Sequence, residues 1–243
     1  MSLIDLANPT RFLAFAARAL PWLALTTAIL LVIGLYQSAM APDDYQQGAT
    51  VKIMFLHVPN AWLAMMVWMI MSVASLGTLV WRHPLADVAQ KAAAPLGATF
   101  TALALYSGSL WGRPTWGTFW EWDGRMTSTL VLFFIYLGII ALWRAFDDQL
   151  RAARIVAIVT LVGALDIPVV KFSVDWWNTL HQPASVLTPT GPKMPGSILT
   201  PLFIMLFAFT LLFLLLHLVS MRTEILGRRA DSLSRQAAAR SAA

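Results

Sequence analysis

The stretch WGRPTWGTFWEWDGRMTS, residues 111–128, separates two long apolar runs, 93–111 and 128–146. It contains Trp111, Trp116, Trp120 and Trp122, four of the chain's eleven tryptophans within twelve residues. It shows neither strand alternation nor a clean helical stripe. Each flanking run approaches the ~20 residues a helix needs to cross a bilayer. Four similar runs lie near 22–40, 58–80, 152–173 and 198–221. Lipid offers no partners to backbone N–H and C=O groups, so these runs must satisfy their own as helices. The expected fold class is an all-α polytopic membrane protein. Residues 1–221 would form a bundle of six transmembrane helices with a tryptophan-rich outer loop. Residues 222–243 would form a basic cytoplasmic tail.

Composition supports this class. Hydrophobic residues make up 58% of the chain and charged residues 12%, whereas a soluble domain carries roughly a quarter charged residues. The mean hydropathy is +0.68. With no cysteine, disulfides, thiolate metal sites and thiol catalysis are excluded. No glycine-rich phosphate loop is present, so the chain is not expected to be an ATPase.

The net charge of +5 reads as loop charge, with no nucleic-acid partner expected, and its distribution sets an orientation. Arg11, Arg18, Arg82, Lys91, Arg144, Arg151, Arg154, Arg222, Arg228, Arg229, Arg235 and Arg240 fall on one side. Only Lys52, Arg113, Arg125, Lys171 and Lys193 fall on the other. The richer side should be cytoplasmic, with both termini there and the tryptophan loop outside. Ala39-Met40-Ala41 resembles a signal-peptidase site, but the length of the preceding run favours a retained first helix.

His83 and His217 fall on the basic side and read as a solvated loop residue and a helix-end residue. His57 and His181 fall in separate outer segments flanking the tryptophan stretch. They are open to three readings: interface residues, zinc ligands, or axial ligands of a haem iron with indoles against the ring. Zinc is the poorest, because it normally takes three or four protein ligands. The tryptophans alone could be an aromatic belt, but a belt does not explain the interleaved Gly112, Gly117 and Gly124. Asp123 needs partners if buried, and an indole N–H, Arg125, Thr127 or Ser128 could supply them. Arg125 could pair with a haem propionate, with Lys52 as a weaker second. Asp166, inside a run, should face the bundle interior or water.

Residues 116–128, of the form Trp-Gly-x-x-Trp-x-Trp-Asp-x-Arg-x-Thr-Ser, resemble the tryptophan-rich signature of the CcmC family of haem-handling membrane proteins. The resemblance spans about residues 20–222, with Met126 where leucine is expected. It implies that His57 and His181 are the axial ligands of a haem b carried as cargo. It implies a platform of Trp116, Trp120 and Trp122, with Trp111 and Gly112 at its leading edge and Gly117 and Asp123 in the same motif. It further implies a multi-pass protein of the bacterial inner membrane, a haem carrier rather than an enzyme, with the haem site periplasmic. The haem chaperone CcmE would receive the haem, and CcmA, CcmB and CcmD would assist. The competing readings are a b-type cytochrome, which would hold its ligand histidines within helices, and a permease subunit, which would line a path with polar residues.

Overall fold

The computed structural model describes residues 7–182, 185–186 and 188–241. Among the described residues seven α-helices follow one another: α1 (Pro9–Met40), α2 (Met54–Leu79), α3 (Ala86–Trp116), α4 (Gly124–Ala145), α5 (Gln149–Gly163), α6 (Asp166–Trp176) and α7 (Gly196–Ser241). A 3₁₀ turn, Ala49–Ile53, leads directly into α2. Among the described residues there is no strand, only an isolated bridge between Asp44 and Gly48.

α5 and α6 together occupy the run expected at 152–173 and form one broken rod, which gives a bundle of six rods. Five of the six are long and apolar enough to cross a membrane. The exception is α3, which is long enough but diluted by Gly97, Thr99, Thr101, Ser107 and Gly108. It packs against α2, α4 and α7, and its small residues allow close approach between helices.

Local sequence explains the helix ends. Asn8 caps α1 by accepting from the Thr10 and Arg11 N–H groups, with Pro9 as the first helical residue. Asp148 caps α5 through Leu150 and Arg151. The chain leaves α3 at Gly117, whose φ of 82° lies in the left-handed region that glycine adopts freely. The first part of the tryptophan stretch, Trp111 to Trp116, is therefore helical, and only residues 117–123 form the loop. Gly163 ends α5, and Pro168 lies in the first turn of α6, where a missing N–H costs little.

The core forms where bulky rings meet glycines. Trp68 and Tyr136 are fully buried and meet edge to face, 4.7 Å between centroids. Such a pair contributes about 0.5–1.5 kcal/mol beyond area burial. A Cβ on Gly97 would stand 2.2 Å from Tyr136 Cε1, and one on Gly163 would stand 2.5 Å from Trp68 Cζ2. The rings occupy the space that other residues would fill. Interhelical bonds fix the register: Tyr136 Oη donates to the Ala64 carbonyl at 2.8 Å and Trp68 Nε1 to the Thr160 carbonyl at 3.1 Å. The buried Gln90 amide donates to Ser75 and Thr160 at 2.7 and 2.9 Å.

α1 packs along α7, and Arg229 of α7 donates to Thr10 at 2.7 Å. The start of α1 thus meets the later part of α7. At ~1.5 Å per residue, the 46 residues of α7 run well beyond a hydrocarbon core ~30 Å thick. The segment from Arg222 continues this helix to Ser241.

Candidate binding site at the histidine end of the bundle

On α3, Gly108, Trp111, Gly112 and Thr115 recur at helical spacing and share one face. That face walls a cavity of about 410 Å³, completed by the start of α2, α6 and the segment from His181 to Met194. A narrower cavity of about 130 Å³ adjoins it toward the bundle interior. His57, Gly108, Arg125, Lys171 and His181 line both. The larger volume lies within the ~300–1,000 Å³ typical of small-molecule sites.

His57 lies in the first turn of α2, one turn deeper than a start at residue 58 would place it. The 3₁₀ turn lets the helix begin at Met54, with Pro59 inside it. His57 Nδ1 sits 3.1 Å from Ser107 Oγ. The Ser107 hydroxyl donates its own hydrogen to the Leu103 carbonyl at 2.6 Å, so its oxygen is free to accept from Nδ1. A Cβ on Gly108 would stand 2.9 Å from His57 Cε1, so the glycine lets the ring rest on α3. Trp111 meets His57 edge-on at 5.7 Å and donates its indole N–H to Gln47 Oε1 at 2.8 Å.

His181 reaches the cavity from the irregular segment after α6. Its Nδ1 lies 2.8 Å from Asp123 Oδ2, and Trp116 meets its ring edge-on at 4.6 Å. Asp123 caps α4 by accepting from the Met126 N–H at 2.7 Å, and it accepts a second bond from the Thr179 hydroxyl. Burial pushes the Asp123 carboxyl upward. The bonds from Thr179, Met126 and His181 outweigh this and hold it below its ordinary value. For His181, burial pulls the imidazole pKa down, the Asp123 carboxylate partly restores it, and Arg125 opposes. The net is a pKa below the ordinary imidazole value, which favours the neutral ring. A neutral imidazole is the form that binds metal. The bonds that tie the His57 and His181 rings to Ser107 and Asp123 run through Nδ1, and the Ala104 backbone adds a further hydrogen bond to the His57 imidazole.

Arg125 donates to the Lys171 carbonyl at 2.9 Å, while its buried Nε has no partner among the described residues. The arrangement is an aromatic-walled cavity with two imidazoles, two cations and one carboxylate, Asp175. It suits a flat, metal-centred ligand bearing carboxylates.

A family model described as heme exporter protein C matches residues 2–236. The chain belongs to the CcmC family. It is 70% identical over 242 residues to a heme exporter protein C of Bradyrhizobium diazoefficiens, covering 100% of this chain and 92% of the relative. It is 44% identical over 234 residues to that of Paracoccus denitrificans, covering 96% and 97%. Against that of Escherichia coli K12 the identity is 43% over 226 residues, covering 93% and 91%.

The CcmC signature divides in three dimensions. Trp111, Gly112, Trp116 and Arg125 line the cavity together with His57 and His181. Asp123 stands behind His181 rather than on the wall; among the described residues its side chain is hydrogen-bonded by Met126, Thr179 and His181 rather than by an indole, and its charge also acts on Arg125. Gly117 turns the chain. Trp120 and Trp122 pack on each other at 5.3 Å, away from the cavity, with Trp122 73% exposed. Trp122 borders a separate side groove with Asp166 and Trp177. Lys52 bonds to the Ala39 carbonyl at 3.1 Å and lies 3.5 Å from Asp43, away from the cavity. Lys171 lines the cavity, which sequence reading did not anticipate; its spacing to Val174 and Asp175 on α6 was the available signal. His217 is buried in the middle of α7, stacked on Phe213 at 5.3 Å, rather than at a helix end.

Proposed function

We propose that this CcmC-family chain holds haem b as cargo at the periplasmic face of the bacterial inner membrane, and that it hands the haem to the chaperone CcmE for cytochrome c maturation. The observation that carries this reading is the meeting of His57 and His181, from distant parts of the chain, on one cavity. Each has its Nδ1 within hydrogen-bonding distance of a protein oxygen. The two imidazoles supply the axial ligands, and Trp111 and Trp116 supply apolar walls. Arg125 and Lys171 face the propionates, a role that falls to Lys171 rather than Lys52. The excess of basic residues on the opposite side supports cytoplasmic termini and a periplasmic cavity. The exposed Trp122, paired with Trp120, is a surface for the chaperone. CcmA, CcmB and CcmD supply the ATP-driven and accessory parts, and this chain acts as carrier rather than catalyst.

A b-type cytochrome keeps its ligands on helices, and His57 does lie on α2. His181 does not, and a ligand on an irregular segment favours a site that also releases. The test is haem content after purification from membranes, followed by mixing with haem-free CcmE. Wild type should carry haem and lose it to CcmE. The His57→Ala/His181→Ala double variant should insert normally and carry little. Undiminished haem in the double variant would overturn the ligation. Haem that stays bound in the presence of CcmE would favour the cytochrome.

A further inference from the structure

The two histidines are built alike but supported unequally. Each presents Nδ1 to an oxygen of the protein. For His57 the partners are neutral: the Ser107 hydroxyl, 3.1 Å from Nδ1, and the Ala104 backbone. For His181 the partner is a carboxylate, Asp123 Oδ2, at 2.8 Å. The carboxylate is buried, with 3% of its side chain exposed. It is fixed from two further directions, by the Met126 N–H at 2.7 Å and by the Thr179 hydroxyl. Thr179 Oγ1 also accepts the His181 backbone N–H at 3.1 Å. The side chain and backbone of His181 are therefore tied to one rigid point, the first turn of α4, although His181 sits on an irregular segment.

The geometry points to Asp123 as a positioning residue that makes His181 the stronger of the two haem ligands. The inference rests on the ligation proposed above. An ionised carboxylate can only accept, so His181 Nδ1 carries the hydrogen and Nε2 presents its lone pair to the cavity. A carboxylate on the far nitrogen makes an imidazole a better donor than a neutral partner does, and such outer partners orient the ring. The Ser107 hydroxyl gives His57 the same tautomer with less electron donation. The pair thus has one firmly held ligand and one more readily exchanged, an arrangement suited to a site that must both orient its cargo and let it go. The aspartate of the tryptophan-rich stretch acts on the iron through His181 without touching the cargo.

Asp123→Asn tests this, because asparagine caps a helix as well as aspartate does and α4 should still start at residue 124. Three readouts apply to the purified, haem-loaded full chain: the optical spectrum, the midpoint potential, and the imidazole concentration that displaces a protein ligand. Wild type should give a six-coordinate, bis-imidazole spectrum. Asp123→Asn should keep that spectrum, shift the potential to more positive values, and weaken haem binding by about 10–100-fold. Ser107→Ala should move the potential less. If Asp123→Asn does not accumulate in membranes, Thr179→Val, which loosens the carboxylate, should give a smaller shift of the same sign. An unchanged potential and affinity in a bis-imidazole Asp123→Asn protein would overturn the positioning role while leaving the ligation intact. A wild-type spectrum without two imidazoles would instead remove the ligation itself.

Discussion

The two ends of the bundle use charge in opposite ways. At the basic end, ion pairs tie helices together. Lys91 on α3 meets Glu224 on α7 at 2.8 Å, Arg228 meets the same carboxylate at 2.8 Å, and its Nη1 reaches Asp87 at 2.6 Å. Lys91 also lies over the Trp143 ring, 5.5 Å from its centroid. These contacts join α3 to α7. At the histidine end, Arg125 and Lys171 face a cavity walled by Trp111 and Trp116 and lined by His57, His181 and Asp175. One end closes the helices together and the other holds open a space with a defined chemistry.

The largest expected break in this contrast is at the histidines. His57→Ala/His181→Ala should cut haem retention by at least about 100-fold, since removing a single outer partner of a metal ligand already costs ~10–100-fold. Without haem the variant should lose about 1–3 kcal/mol of stability, because the buried Asp123 loses one partner; quantitative pyridine haemochrome assays and a melting curve check both. Next in size is Gly108→Val. Its Cβ would enter the space of His57 Cε1, 2.9 Å away, and overpacking of this kind costs about 1–3 kcal/mol. Haem affinity should fall about tenfold, measured by titration with haemin.

Glu224→Ala tests the other end. It leaves Lys91 and Arg228 without their shared carboxylate, at a partly exposed site where solvent screening limits the loss to about 1 kcal/mol. A drop of about 2–4 °C in melting temperature with unchanged haem affinity is expected. Loss of haem binding there would mean that the two ends are coupled. The smallest effect separates two lysines: Lys171→Ala should weaken haem binding by a few-fold, about 0.5–1 kcal/mol for a partly exposed charge, and Lys52→Ala should not change it.

Much of the fold could be read in advance, because bilayer-length apolar runs leave the backbone one solution. Two features escaped that reading. The run at 152–173 breaks after Gly163, where Trp68 takes the space of a side chain. The signal was present in Gly163 and Pro168, but the packing partner lies far away in the chain. The break also places Asp166 in the first turn of α6, on the side groove, with its buried Oδ2 lacking a hydrogen-bond partner among the described residues. The second feature is α3, which continues to Trp116 and divides the tryptophans between a cavity wall and an exposed pair. Local aromatic density did not show that division, whereas the i, i+3, i+4, i+7 spacing of Gly108, Trp111, Gly112 and Thr115 carries it. The bond between Asp123 and His181 was beyond sequence reading altogether, because it joins a helix cap to an irregular segment 58 residues away.

The most direct test of shared ligation is the spin state of ferric haem in three purified proteins: wild type, His57→Ala and His181→Ala. Low-spin, six-coordinate haem in wild type and high-spin haem in each single variant is the expected result. Low-spin haem in both single variants would mean that these two imidazoles do not share one iron.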